Sequence, residues 1–316
     1  MLVFSFRLML DVNKRVYNHR PGPCRVVEAV EHGSEDIALV EDEGIAFVTS
    51  GVQYLTPRGK ENFHPHGISH ITTSLGIVRL FVINHSKSFQ HSVFVLDWDS
   101  KARELNLVKI IEDEKFIRPN DLVAVSEDAF ILSNDGSSQS SLFNMLEILS
   151  MYPSGSIVFY DGKVSHWLQS SAVSPNGIAL DQERLHLIVS HINSEIGYFQ
   201  DYRSLSHVAD IPLLTSADNL YIDKSGAVWT VSGAHPVSKD AIKHLGNCED
   251  LKVYGPSQVL RIVFSKGYRS WEISEPFADD GRLISSSSIA VPYNNQLLIG
   301  SVCRQLVHCD IRPETI

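Results

Sequence analysis

Six times along this chain a turn-forming or polar start is followed by an apolar run, a tight turn and a second apolar run. The starts are Glu35-Asp36, Pro65-His66-Gly67, Pro119-Asn120-Asp121, Pro175-Asn176-Gly177, Ala217-Asp218-Asn219 and Ser286-Ser287. A unit that recurs in one phase marks an architecture, because each copy needs its neighbours to bury its apolar faces. The runs are rich in β-branched and aromatic residues, with Gly, Asp and Ser between them, so they read as hairpins. The units lie about 30 to 70 residues apart, a spacing that fits propeller blades carrying insertions. The expected fold is therefore all-β, a six-bladed β-propeller. A large sandwich or two small barrels is the alternative, and the constant phase favours the ring.

The chain has 316 residues, 43% of them hydrophobic, which supplies a large core. Residues 21–316 are expected to form one propeller domain, with 1–20 as a separate apolar N-terminal segment. Met1–Leu10 is apolar apart from Arg7 and shorter than the roughly 20 residues that cross a bilayer. It reads as a truncated signal, an amphipathic anchor or simply a strand. The net charge of −10 comes with no basic stripe, which excludes a nucleic-acid partner and suits cation binding. Ser141–Tyr152 has a helical period, with Leu142, Met145, Leu146 and Leu149 on one face. That face is expected either to pack on the ring or to form a lid or membrane-facing surface.

Four cysteines occur, at 24, 248, 303 and 309, with no CxxC pair, so a zinc ribbon or redox motif is unsupported. Cys24 and Cys309 fall on the strands that would close the ring, where a disulfide would act as a clasp. Two unpaired buried thiols are the alternative. A clasp implies an oxidising compartment, so the protein is expected to be secreted or membrane-associated on the lumenal side.

Any one of the polar starts is explained by turn chemistry. Turn chemistry does not explain why oxygen-bearing side chains keep the same phase in successive units. First strands of propeller blades run along the axis, so Glu35, Asn120, Asn176, Asp218 and Asn219 would converge as an all-oxygen cage. Calcium takes about 6 to 8 oxygens and accepts amide carbonyls, unlike zinc or copper. Asp36 and Asp121, pointing the other way, could hold a second ion.

These motifs resemble the paraoxonase/arylesterase family. The matching stretches are GSED (33–36), PHGIS (65–69), INH (83–85), PNDLVAV (119–125), NGI (176–178), DN (218–219), HP (235–236) and LLIGSV (297–302), in family order. The resemblance implies a six-bladed propeller with two calcium ions in its central tunnel. It implies that Glu35, Asn120, Asn176, Asp218 and Asn219 hold the catalytic ion. Asp36, Asp121 and the carbonyl of Ile68 would hold the structural one. His66 and His85 match the family's water-activating dyad, and Cys24 and Cys309 match its disulfide. The implied activity is hydrolysis of lipophilic lactones and aryl esters, with a non-catalytic chaperone or assembly role at a membrane as the alternative. A hydrolase acting on sugar lactones is a further reading, favoured by a polar pocket. Three departures stand out. The stretch from Gly51 to His66, through Tyr54 and Arg58, is shorter than in the family, so the first blades are expected to be incomplete. Ala234 stands where many members have a free cysteine. Gly136, Cys303 and Arg304 replace family pocket residues. The sequon Asn84-His85-Ser86 overlaps the dyad and reads as chance.

Overall fold

A computed structural model of the chain describes residues 16–28, 30, 32–51, 63–86, 90–192, 195–213, 215–232, 239–265 and 267–312. Met1–Leu10, Tyr54, Arg58, Ala234 and His235-Pro236 lie outside the described residues.

The short strand β1 (Cys24–Val26) precedes a hairpin of β2 (Ile37–Val40) and β3 (Ile45–Val48). Four meanders follow. They are β4 to β7 (Pro65–Thr72, Val78–His85, His91–Asp99, Glu104–Ile111) and β8 to β11 (Pro119–Ala124, Phe130–Asn134, Gly155–Tyr160, Ser165–Ala172). Then come β12 to β15 (Pro175–Leu180, His186–His191, Glu195–Gln200, Ser206–Pro212) and β16 to β19 (Leu220–Ile222, Val228–Ser232, Ser257–Phe264, Trp271–Asp279). The chain ends in β20 (Ser287–Tyr293), β21 (Gln296–Ser301) and β22 (Leu306–Asp310). Each meander is one antiparallel four-stranded sheet, and β1 joins β20, β21 and β22 as the outer strand of a fifth, next to β22. The hairpin β2–β3 is a two-stranded sheet. The protein is thus an all-β propeller with five complete blades among the described residues.

The first strand of each unit lines the axis. These strands pack side by side in the cyclic order β2, β4, β8, β12, β16, β20 and back to β2. Burial follows position: β12 is buried at every residue, while the outermost β7 is exposed along most of its length. Apolar side chains fill the spaces between blades. Phe81, Leu122, Phe130 and Leu132 form one such cluster, and Trp229, Phe277, Ala290 and Ile299 another. Each large side chain buried this way contributes about 1.5–3 kcal/mol.

At the axis the first strands approach so closely that side chains are excluded at two places. A Cβ on Gly67 would lie 2.7 Å from the Cα of Asp121, and one on Gly177 would lie 2.6 Å from the Cα of Asn219. Glycine at both sites is therefore a packing requirement.

Closure occurs on the expected strands. β1 pairs antiparallel with β22, with Cys24 opposite Cys309, and the two are joined by a disulfide. A second disulfide joins Cys248 to Cys303. It ties the excursion between β17 and β18, which contains a short helix (Lys239–Leu245), to the turn after β21. The two blades also meet through Arg304, which donates to the carbonyl of Val253 at 3.0 Å, and through His244 and Ser286 at 2.9 Å.

The helical segment forms as α1 (Ser141–Ser150), between β9 and β10. Two residues of its apolar stripe, Leu142 and Leu146, face solvent together with Phe143. Leu142, Phe143 and Leu146 are 59%, 61% and 50% exposed, while the polar Asn144 is the buried contact. No helix among the described residues is long and apolar enough to cross a membrane.

Candidate functional site

In each hairpin the start of the first strand and the end of the second lie at the same end of the blade, because the strands are antiparallel. Glu35, His66, Asn120, Asn176 and Asn219 therefore share one end of the tunnel with His85 at the close of β5. The excursions that carry α1 and Cys248, and the turn that carries Cys303, leave the ring at that same end.

Contacts tie several of these strand starts together. Nε2 of His66 lies 3.2 Å from Oε1 of Glu35. The amide of Asn219 donates to the same Oε1 at 2.9 Å and to the Glu35 carbonyl at 3.0 Å. The Asn176 side chain is hydrogen-bonded to Asp218. Glu35, His66, Asn120, Asn176 and Asn219 are all at most 6% exposed, and Asp218 is half-buried.

The decisive feature is what these groups leave unsatisfied. Glu35 Oε2, Asn120 Oδ1, Asn176 Oδ1 and Asn219 Oδ1 are buried with no hydrogen-bond partner. An unpaired buried oxygen costs about 1–3 kcal/mol, a cost that a cation bound at this tunnel end would offset. Charge points the same way. Burial, and then Glu35, push Asp218 well above the carboxylate range. Burial and Glu35 also push Asp36 up to about 7. Burial and then Asp36 raise Asp121 strongly. A divalent cation would relieve all three. Among the described residues no group of three or more His, Cys, Asp or Glu could hold a metal ion. The set here mixes carboxylate with amide oxygen, a donor set that fits calcium rather than zinc.

Asp36 and Asp121 also serve a purpose that sequence reasoning missed. Asp36 accepts the N–H groups of Ile37 and Ile68, both at 2.8 Å. Asp121 accepts those of Leu122 at 2.7 Å and Ile178 at 2.8 Å. Each carboxylate thus staples its own strand to the first strand of the next blade. At Ile68 it is the N–H that makes this contact. Ser133 adds a parallel link, donating to the carbonyl of Asn176 at 2.5 Å.

The histidines form a row. Nδ1 of His66 and Nε2 of His85 are 2.8 Å apart, and Nδ1 of His85 lies 2.9 Å from Nδ1 of His91. At His66 burial opposes the cation, but the adjoining Glu35 carboxylate outweighs it and raises the ring above its usual value. His85 is held well below its usual value by burial and by its imidazole neighbours. Burial, and then the Arg118 cation, hold His91 at about 4.

His91 was missed in the sequence, although a hairpin whose register places residue 85 opposite 91 would have exposed it. Also missed was the buried pair Arg118–Asp135, at 3.0 Å. Arg118 further donates to the carbonyl of Ser138 at 3.0 Å and to Asn144 of α1 at 3.2 Å. It therefore couples that helix to the blade carrying Asn120. Ser138, Phe143, Leu146, Glu147, Ser150 and Tyr152 line an open depression of about 510 Å³ beside α1.

Comparison with known proteins places this geometry. The chain is 31% identical to the mechanosensory abnormality protein 6 of Caenorhabditis elegans, over 98% of this chain and 92% of that protein. It is 26% identical to human serum paraoxonase/lactonase 3, over 98% of this chain and 95% of that protein. The first alignment runs over 350 residues, whereas 98% of 316 is about 310, so about 40 positions face gaps in this chain. Among solved structures, a calcium-binding protein, regucalcin, from Agrobacterium tumefaciens superimposes with a TM-score of 0.56 at 11% identity. That match covers 94% of this chain and 96% of the other, and it shows the fold alone. The arylesterase family model matches residues 56–311, and the chain belongs to the arylesterase family.

Proposed function

We propose that this protein is a calcium-dependent hydrolase of lipophilic lactones and aryl esters. The observation that carries the reading is the set of four unpaired buried oxygens beside His66. Glu35, Asn120, Asn176, Asp218 and Asn219 would hold one calcium ion, and Asp36, Asp121 and the Ile68 carbonyl a second. When bound, the first ion supplies Lewis-acid polarisation of the ester carbonyl and charge stabilisation of its oxygen. His66 takes the proton of the attacking water at Nε2 while its Nδ1 stays bonded to His85. As the C–O bond breaks, the same nitrogen returns a proton to the leaving alkoxide oxygen. The ring accepts the first proton as neutral imidazole and gives up the second as the imidazolium so formed. A group with a usual pKa of about 6.5 can cycle between the two near neutral pH. His85 orients the ring, and the stapling contacts of Asp36 and Asp121 keep the strand starts at fixed distances.

The hairpin β2–β3 is read as the inner half of a sixth blade, since it occupies one place in the ring of first strands. Two disulfides and secreted-type relatives favour a secreted or lumenal protein. The test is hydrolysis of aliphatic lactones and phenyl acetate by the purified full chain, with calcium and after chelation. Calcium-dependent turnover is expected. A folded, calcium-loaded protein that hydrolyses neither would end the enzymatic reading.

A second reading has its own support. The exposed Leu142, Phe143 and Leu146 of α1, the two-stranded sheet and the relative named for a mechanosensory role favour a non-catalytic chaperone or assembly factor at a membrane. An inactive but calcium-loaded protein that binds lipid vesicles through α1 would make it the better account.

A further inference from the structure

A neutral imidazole carries one N–H and one lone pair. Each N···N hydrogen bond holds a single proton, so a row of neutral imidazoles has all its protons pointing one way. For His66, His85 and His91 there are two such arrangements. In the first, Nδ1–H of His66 donates to Nε2 of His85, and Nδ1–H of His85 donates to Nδ1 of His91. This leaves a lone pair on Nε2 of His66. In the second every bond is reversed, and Nε2–H of His66 donates to Glu35. Only the first leaves His66 able to accept a proton at the nitrogen that faces the cage.

We propose that His91 is a positioning residue whose Nδ1, as acceptor for His85, holds the row in the first arrangement. It acts through His85, its cross-strand neighbour. The observations behind this are the 2.9 Å contact between Nδ1 atoms, the direct cross-strand pairing of His85 with His91, and the burial of both rings. Their rings meet edge to face at 4.8 Å, which fixes the angle at which the lone pair is presented. Glu35 Oε1 at 3.2 Å pulls a proton toward Nε2 of His66, in the opposite sense, so an acceptor at the far end is needed to oppose it. His91 remains such an acceptor near neutral pH, because burial and the Arg118 cation disfavour its protonation. Fixing a tautomer through a second side chain is how catalytic histidines are generally oriented.

The catalytic consequence rests on the hydrolase reading above, but the tautomers do not, so the test separates them. His91→Leu removes the acceptor and His91→Gln restores one. Imidazole ¹⁵N NMR of the calcium-loaded full chain is expected to show Nδ1–H at His66 and His85 in the wild type and in His91→Gln. A mixture is expected at both in His91→Leu. In parallel, His91→Leu should lower kcat for lactones about 10- to 100-fold, the usual size for loss of an orienting partner. KM and calcium stoichiometry should stay the same, and His91→Gln should recover most of the loss. If His91→Leu fails to fold, the wild-type and His91→Gln spectra still decide, because Nε2–H at His66 in both overturns the proposal. Unchanged tautomers in a folded His91→Leu, or a kcat within about twofold of wild type, also overturn it. A wild type that shows the expected tautomers but no turnover supports the role of His91 and refutes the hydrolase reading.

Discussion

Asn219 and His66 sit about one hydrogen bond from the same Glu35 oxygen, yet their loss should read out differently. Asn219→Ala removes one of the unpaired oxygens and the amide that holds Glu35. It should weaken calcium binding and abolish hydrolysis of every substrate together, seen by calcium titration beside the assay. His66→Gln should leave calcium binding and folding intact and cut lactone turnover about 10²-fold or more, the usual loss for a general base. Asp121→Ala removes the acceptor of two buried N–H groups and a ligand of the proposed second ion. A loss of about 2–5 kcal/mol is expected from the two orphaned donors alone, measured by urea unfolding in chelator. His244 gives a pH signature through a group outside the cage. Burial and then Arg304 hold it at about 4 in the folded chain, against a usual 6.5. The unfolded state therefore binds more protons between those values, so stability is full above 6.5 and falls as pH drops toward 4. His244→Asn should flatten that part of a melting-temperature profile. At this scale the oxygen-bearing residues at the tunnel end were legible in the sequence because their phase repeats. The stapling contacts and His91 were not, because both depend on which residues face each other across strands and blades.

The strands themselves were legible. All six hairpins form where alternating β-rich runs flank turn residues, and Cys24 and Cys309 meet because both lie on the closing strands. The Cys248–Cys303 link was not legible, since it depends on how the excursion after β17 folds back over the next blade. The two disulfides should therefore fail in different ways. Cys24→Ser opens a loop spanning 285 residues, and the chain-entropy model assigns such a closure about 5–6 kcal/mol, so the whole ring should melt earlier. Cys303→Ser should mainly raise hydrogen exchange and proteolysis across 239–256, with the ring strands little changed. Helix α1 was expected from its period, but periodicity did not decide the exposure of Leu142 and Leu146 on its apolar stripe. If that stripe meets lipid, replacing Leu142, Phe143 and Leu146 by Ser should abolish vesicle flotation without altering the melting temperature. Equal flotation of both proteins would refute a lipid-facing role.

For the whole molecule, the ring of first strands makes folding and site formation one event. The strand starts that form the cage also carry the staples between blades, so a cation held there would tie blades together as well as act on substrate. Ligand that binds only the native state adds stability by mass action. The most direct measurement is calcium stoichiometry of the purified full chain, by equilibrium dialysis, with thermal melts in calcium and in chelator. Two bound ions are predicted for the wild type, with a lower melting temperature in chelator and loss of one ion in Asn219→Ala. A folded protein that binds no calcium and melts at the same temperature in chelator would contradict the account.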